Sequence, residues 1–162
     1  MQTEIPTAFL IHGYLGVGKT TVARQLETER SAIRFTHDEW MSSLYGNDPP
    51  EAMFAEYARR VSAVMETTWI RCVELKTNVV LDFGFWSRGE RDRVRRLVAS
   101  LGGKAILFQL ACPDEIAWSR IAERNQRPDK NLYIAPNTYR TLRTRFESLA
   151  PDEERIAIET GF

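Results

Sequence analysis

Apolar positions along the 162-residue chain follow two alternating rhythms. Short apolar runs occur at 7–12 ("TAFLIH"), 32–36 ("AIRFT"), 78–84 ("NVVLDFG"), 105–112 ("AILFQLAC") and 155–160 ("RIAIET"). The first of these has the pattern of a strand buried on both faces, and the others are read as strands beside it. Between them apolar residues recur every three to four places, the period of a one-sided helix. Val22, Ala23 and Leu26 mark a helix from Lys19 to about Arg30, and Phe54, Tyr57, Val61, Val64, Met65, Trp69 and Cys72 mark a longer one. Further helices are predicted through Trp40 and Leu44, from Ser87 to about Leu101, from Pro113 to about Arg127, and through Tyr139, Leu142, Phe146 and Leu149.

Terminal signals support these elements. Thr36 with Glu39, and Ser87 with Glu90, have the spacing of capping boxes. Asp48 followed by Pro49, with Glu51 three positions on, predicts the start of the long helix, and Gly102-Gly103 predicts a stop. Strands alternating with helices predict an α/β chain in three layers, α/β/α, around a mostly parallel five-stranded sheet. Neither repeats nor low-complexity linkers divide residues 1–162, so one domain is expected. Pro128 and Pro136 bracket a polar segment too long for a tight turn, the core of a short lid at about 120–136.

The turn after the first strand carries the chemistry. Gly13-Tyr14-Leu15-Gly16-Val17-Gly18-Lys19-Thr20 fits G-x-x-x-x-G-K-[ST], with Thr21 following, and it lies between a strand and a helix as that motif requires. Glycines let the chain turn with its N–H groups facing inward, and the helix starting at Lys19 adds the positive end of its dipole. In such a loop the lysine reaches the β- and γ-phosphates and the hydroxyl of Thr20 can coordinate Mg²⁺, so a nucleoside triphosphate, ATP with Mg²⁺, is the expected ligand. The fold class thus narrows to a P-loop nucleoside-triphosphate-binding one.

Carboxylates follow at the ends of the next two strands. In a parallel sheet, residues just past the carboxyl ends of neighbouring strands converge on one crevice, so Asp38 and Asp82 are expected to face the loop. An aspartate there can deprotonate an incoming hydroxyl or hold the metal, and Asp82 stands where a Walker B carboxylate would. Glu39 is explained as the capping partner of Thr36. His12 is expected to pack at the strand end, and His37 to be a partly exposed hydrogen-bonding residue. Asp82-Phe83-Gly84 is not a protein-kinase DFG: the chain is short, lacks an H-R-D loop, and its glycine loop is of the other type.

With these motifs in this order the chain resembles the compact P-loop kinases that include chloramphenicol phosphotransferase, the zeta-toxin kinases and the kinase domain of polynucleotide kinase. That resemblance implies a phosphotransferase with Asp38 as the base toward the accepting hydroxyl and an aspartate at the position of Asp82. Arg120, Arg124 and Arg127 share one helical face before the lid. Adenylate-kinase-like enzymes have a similar arrangement, and the likeness implies that Arg120 packs on adenine while Arg124 reaches the triphosphate. Trp40, Met41, Tyr45, Phe54 and Tyr57 are candidates for an acceptor pocket, with Arg88 or Arg91 beyond the third strand.

Composition narrows the partners. The 22 basic and 22 acidic residues cancel, which removes the long-range field of a nucleic-acid binder. Only 4 of the 22 basic residues are Lys, which favours planar contacts to carboxylates and phosphates. A small-molecule hydroxyl acceptor is therefore expected. The alternatives are a nucleotide or nucleic-acid end kinase and a regulatory ATPase; "NQRPDK" does not fit the base-reading motif of a GTPase. Cys72 and Cys112 lack metal-ligand spacing and are expected as buried free thiols. With no long apolar span and no secretory leader pattern, the protein is expected in the cytoplasm, as a monomer or homodimer.

Overall fold

The computed structural model describes residues 4–127 and 132–161; residues 128–131, the core of the expected lid, lie outside the described residues. In chain order the elements are β1 (Thr7–His12), α1 (Lys19–Glu29), β2 (Ala32–Thr36), α2 (His37–Tyr45), α3 (Glu51–Glu74), β3 (Asn78–Gly84), α4 (Arg88–Ser100), β4 (Lys104–Ala111), α5 (Asp114–Asn125), α6 (Pro136–Arg143) and β5 (Ile156–Glu159). The strands form one sheet in the order β2-β3-β1-β4-β5, every pair parallel.

Alternation along the central strands splits the core in two. Ala8 and Leu10 of β1, with Val79 and Leu81 of β3, face a cluster that includes Val61, Met65, Trp69 and Val73 of α3 and Val94 and Val98 of α4. Phe9 and Ile11, with Val80, face the opposite cluster of Ala23 and Leu26 of α1, against which Tyr139 and Leu142 of α6 pack. Successive side chains of a strand point to opposite faces, so an uninterrupted apolar strand needs helices on both sides. Among the described residues no helix is long and apolar enough to cross a membrane.

Register brings the functional ends level. Thr36 at the end of β2 lies opposite Asp82 of β3, and His12 at the end of β1 lies opposite Gly84, after a register shift between Leu10 and His12. At the other end of α4, Gly102 at φ 76° donates to Ala99 and Gly103 to Val98, closing the helix as the glycine pair predicts.

Four local expectations need correction. Thr36 is the N-cap of α2 without a side-chain cap bond, because its hydroxyl donates to Asp82; Glu39 instead pairs with Arg34 and Arg24. Asp48 does not cap α3, whose N-cap is Pro50; the consecutive prolines move the start to Glu51. The last helix does not reach Phe146 or Leu149: it ends at Arg143, and the chain turns to dock on the β3–α4 connection, where Glu147 N–H donates to the Trp86 carbonyl at 2.8 Å. Cys72 and Cys112 are free but only half-buried. The Ser87 cap holds as expected, its hydroxyl accepting from the Glu90 N–H at 3.1 Å.

Candidate active site at the carboxyl end of the sheet

The glycine loop between β1 and α1 is shaped by two left-handed residues, Gly16 at φ 76° and Gly18 at φ 93°. Space also demands the first: a Cβ on Gly16 would meet the Ala117 carbonyl oxygen at 2.4 Å, so the loop lies directly against α5. Gly18 is the N-cap of α1 and supplies no side-chain cap, leaving the first amides of the helix for a ligand. Lys19, the first residue of that helix, donates through Nζ to the Tyr14 carbonyl at 2.7 Å.

Beside the lysine stands Asp82, which is 5% exposed. Its Oδ2 accepts from both Thr20 Oγ1 at 2.9 Å and Thr36 Oγ1 at 3.0 Å. Burial pushes the Asp82 carboxyl above the ordinary aspartate value, while Lys19 and the two hydroxyls pull it down and Asp38 pushes it up. Lys19 is shifted the opposite way: burial lowers its pKa, Asp82 and then Asp38 raise it, and Arg124 lowers it. Arg124 is lowered by desolvation, raised by Asp38 and lowered again by Arg120. Lys19, Asp38, Asp82, Arg120 and Arg124 therefore form one electrostatic neighbourhood, although they come from four different elements and the sequence separates them by up to about a hundred positions. Asp38 itself is exposed on the first turn of α2, open to an approaching solute.

Arg120 on α5 bonds the Gly16 carbonyl at 3.3 Å and Thr160 Oγ1 at 3.4 Å. Thr160, just past β5, in turn donates to the Val17 carbonyl. Arg127 turns to Glu123 on its own helix at 3.4 Å. His12 is 1% exposed, stacks on Phe146, and donates through Nδ1 to the Phe85 carbonyl at 2.9 Å; burial lowers its pKa. His37, half-buried, bonds the Ala58 carbonyl through Nε2 at 3.2 Å and so fastens α2 to α3 next to Asp38.

The acceptor-side candidates divide. Tyr45 and Tyr57 stack in parallel, centroids 3.8 Å apart, and Trp40 packs on Phe35. Phe54 is 42% exposed, whereas Met41 is fully buried in the α3-side core and offers no surface to a solute. Arg88 is held by both carboxylate oxygens of Asp152, at 2.6 and 2.8 Å, and by Asp92. Arg91 is wholly buried and holds Glu153 through Nε and NH2, so neither arginine is free in this arrangement to reach a ligand.

Sequence reasoning missed several residues that fix the loop. Trp86 Nε1 donates to the Gly13 carbonyl at 3.1 Å, and the Gly13 N–H donates to the Gly84 carbonyl at 3.1 Å. Thr36 and Thr160 were likewise not expected at the loop. Both threonines stand at the carboxyl end of a strand, the one signal that could have marked them as site residues.

A G-x-x-x-x-G-K-T loop leading from the middle strand of a parallel sheet into a helix, with a strand-end carboxylate on its threonine, defines a P-loop domain. Residues 9–149 match the profile of a family described as an AAA domain, and the chain belongs to that family. No curated protein sequence matches the chain.

Solved structures share its fold. A presumed kinase from Chloroflexus aurantiacus superposes with a TM-score of 0.77 at 15% identity, over 98% of this chain and 90% of that one. A gluconokinase from Sinorhizobium meliloti matches with a TM-score of 0.60 at 15% identity, over 96% and 83%. A chain of the Pnkp1/Rnl/Hen1 RNA repair complex gives 0.71 at 20% identity, over 88% of this chain but only 44% of that one. The likeness at these identities is one of fold.

Proposed function

We propose that the protein is an ATP-dependent phosphotransferase that moves the γ-phosphoryl group to a hydroxyl of a small molecule. The observation that carries this reading is the strand-end carboxylate of Asp82 on Thr20 of the glycine loop at 2.9 Å, with Lys19, Asp38 and Arg124 close enough to perturb one another's charge. Phosphoryl transfer is governed by positioning and charge stabilisation, and this set supplies both. Lys19 and the backbone amides from Gly13 to Thr21 cradle the phosphates. Arg124 adds positive charge where the transferring group becomes most anionic, and the adenine is assigned to Arg120, which bonds the Gly16 carbonyl and Thr160 beside the loop. Asp38, solvent-facing and next to Lys19 and Arg124, orients the acceptor hydroxyl and takes its proton.

Thr20 and Asp82 fit Mg²⁺, offering a hydroxyl and a carboxylate oxygen 2.9 Å apart, both hard donors. Among the described residues there is no cluster of three or more His, Cys, Asp or Glu able to hold a metal. A site that relies on one or two protein oxygens and the phosphates themselves is the usual arrangement for this ion. When bound, the cation neutralises charge on the β- and γ-phosphates. The acceptor's body would lie along α2 and α3, near Trp40 and the Tyr45–Tyr57 stack, and the neutral overall charge favours a small molecule over nucleic acid.

The test is [γ-³²P]ATP with Mg²⁺ offered to a metabolite library, to oligonucleotides, and to no acceptor. Label on a small molecule supports the reading, and label confined to oligonucleotide ends overturns its acceptor. Asp38→Asn is expected to lower transfer about 10²- to 10⁴-fold, the usual contribution of a general base, while ATP affinity stays within about two-fold. An Asp38→Asn enzyme of undiminished turnover would remove Asp38 as the base.

A further inference from the structure

Within the glycine loop, Tyr14 turns its side chain into the core beside α1 rather than toward the phosphate side. Its ring is 2% exposed and sits in an aromatic cluster with Trp86, Tyr139 and Phe146 at centroid distances of 5.3, 5.1 and 5.5 Å. The Arg143 guanidinium covers it at 4.6 Å and reaches on to Asp114 at the head of α5. Its hydroxyl donates to the Tyr139 carbonyl on α6. Burial pushes the phenol's pKa up to about 12, so it stays a neutral donor across the physiological range. Meanwhile the carbonyl of the same residue holds Lys19 Nζ at 2.7 Å. One residue thus connects α6, the helix that follows the expected lid, to the lysine that would meet the phosphates.

We infer that Tyr14 is a positioning residue: by anchoring its side chain on α6 it fixes the peptide that holds Lys19, and so sets the reach of that lysine toward the β- and γ-phosphates. This inference rests on the nucleotide-binding part of the proposed function. An untethered loop has more conformations to lose when the ligand binds, and that loss weakens binding. The glycines on either side of Tyr14 supply little stiffness of their own.

Tyr14→Phe keeps the ring and removes the hydroxyl, so the aromatic cluster survives. Loss of one hydrogen bond of ordinary net strength predicts about a three- to ten-fold weaker affinity for ATP, read by isothermal titration calorimetry. A merely structural role would lower affinity whether or not Lys19 is present. If Tyr14 acts through Lys19, Tyr14→Phe added to Lys19→Met causes no further loss, the non-additivity that marks a shared path. Additive losses in that cycle, or unchanged affinity in Tyr14→Phe while Lys19→Met binds weakly, would overturn the inference and leave the nucleotide reading standing. If the unaltered protein binds no ATP and Lys19→Met makes no difference, the nucleotide reading falls and takes the inference with it.

Discussion

Replacing Glu153 with Gln removes one charge from the most buried ion pair of the protein, and its cost can be worked from the contacts. The two side chains are 0% and 1% exposed. Glu153 Oε1 accepts from Arg91 Nε at 2.8 Å and Arg95 NH2 at 2.6 Å; Oε2 accepts from Arg91 NH2 at 3.0 Å and the Ala150 N–H at 2.8 Å. An amide keeps one oxygen and turns an NH₂ group toward the donors that met the other, while Arg91 remains charged and out of water. Breaking one side of such a pair costs about 3–5 kcal/mol. At about 2–4 °C per kcal/mol for a chain of this size, melting should fall by roughly 6–20 °C.

The pH dependence gives a second check. The Arg91 guanidinium holds the Glu153 carboxyl well below the ordinary glutamate value. A depressed folded-state pKa means that the unfolded chain binds the proton more readily, so the pair's contribution is fully present above about pH 4.3 and is lost as pH falls through the folded value. Urea titrations followed by tryptophan fluorescence should therefore show a gap between parent and Glu153→Gln that is constant from pH 7 to 5 and narrows below pH 4. A gap under about 1 kcal/mol at pH 7, or one that persists unchanged to pH 2, would refute the reasoning.

Other substitutions report on the loop and its supports. Gly16→Ala forces an L side chain into φ 76° and into the Ala117 carbonyl at 2.4 Å, so it should abolish measurable ATP binding in calorimetry and lower stability by more than about 2 kcal/mol. Thr160→Val keeps the shape but removes the hydroxyl that ties Val17 to Arg120; ATP affinity should drop a few-fold with the melting temperature within a few degrees of the parent. Ser87→Ala removes the α4 N-cap and should cost about 1 kcal/mol in urea titration without altering ATP affinity.

What the sequence disclosed and what it hid follow from the range of the interactions. The P-loop is legible because its function resides in consecutive backbone amides, and glycine, lysine and threonine must be adjacent to supply it. The central strands β1 and β3 are legible because burial on both faces leaves an apolar run, and Asp82 is legible as the one acid within β3, near its carboxyl end. Pairings across the fold leave no such trace. Thr36 reads as a helix cap from its spacing to Glu39, yet its hydroxyl belongs to Asp82, 46 positions away. Arg91 reads as a candidate ligand on an Arg-rich helix, yet its partner lies 62 positions on. Periodicity carries the last helix through Phe146 and Leu149, but the Glu147 N–H, which a continuing helix would direct to the Arg143 carbonyl, donates to the Trp86 carbonyl at 2.8 Å, and the tertiary bond overrides the pattern.

These distant partners explain how a loop rich in glycine can still be held in one shape. Glycine permits the inward-facing amides but makes the free loop conformationally expensive to order. The fold supplies order from separate directions: the β3–α4 turn holds Gly13 through Gly84 and Trp86, α6 holds Tyr14 through Tyr139, and Arg120 with Thr160 holds Gly16 and Val17. The first of these supports includes a left-handed non-glycine residue, Phe85 at φ 48°, directly after Gly84. The Phe85 carbonyl is clamped by His12 and Arg91 at 2.9 Å each. The buried Arg91–Glu153 pair is thus more than a fastening of the C-terminal segment, because it stabilises the turn on which the root of the loop hangs. Damage to it should weaken ATP affinity while the proton transfer proposed for Asp38 is untouched, so a loss in kcat at saturating ATP would not be expected from Glu153→Gln at temperatures where the protein remains folded.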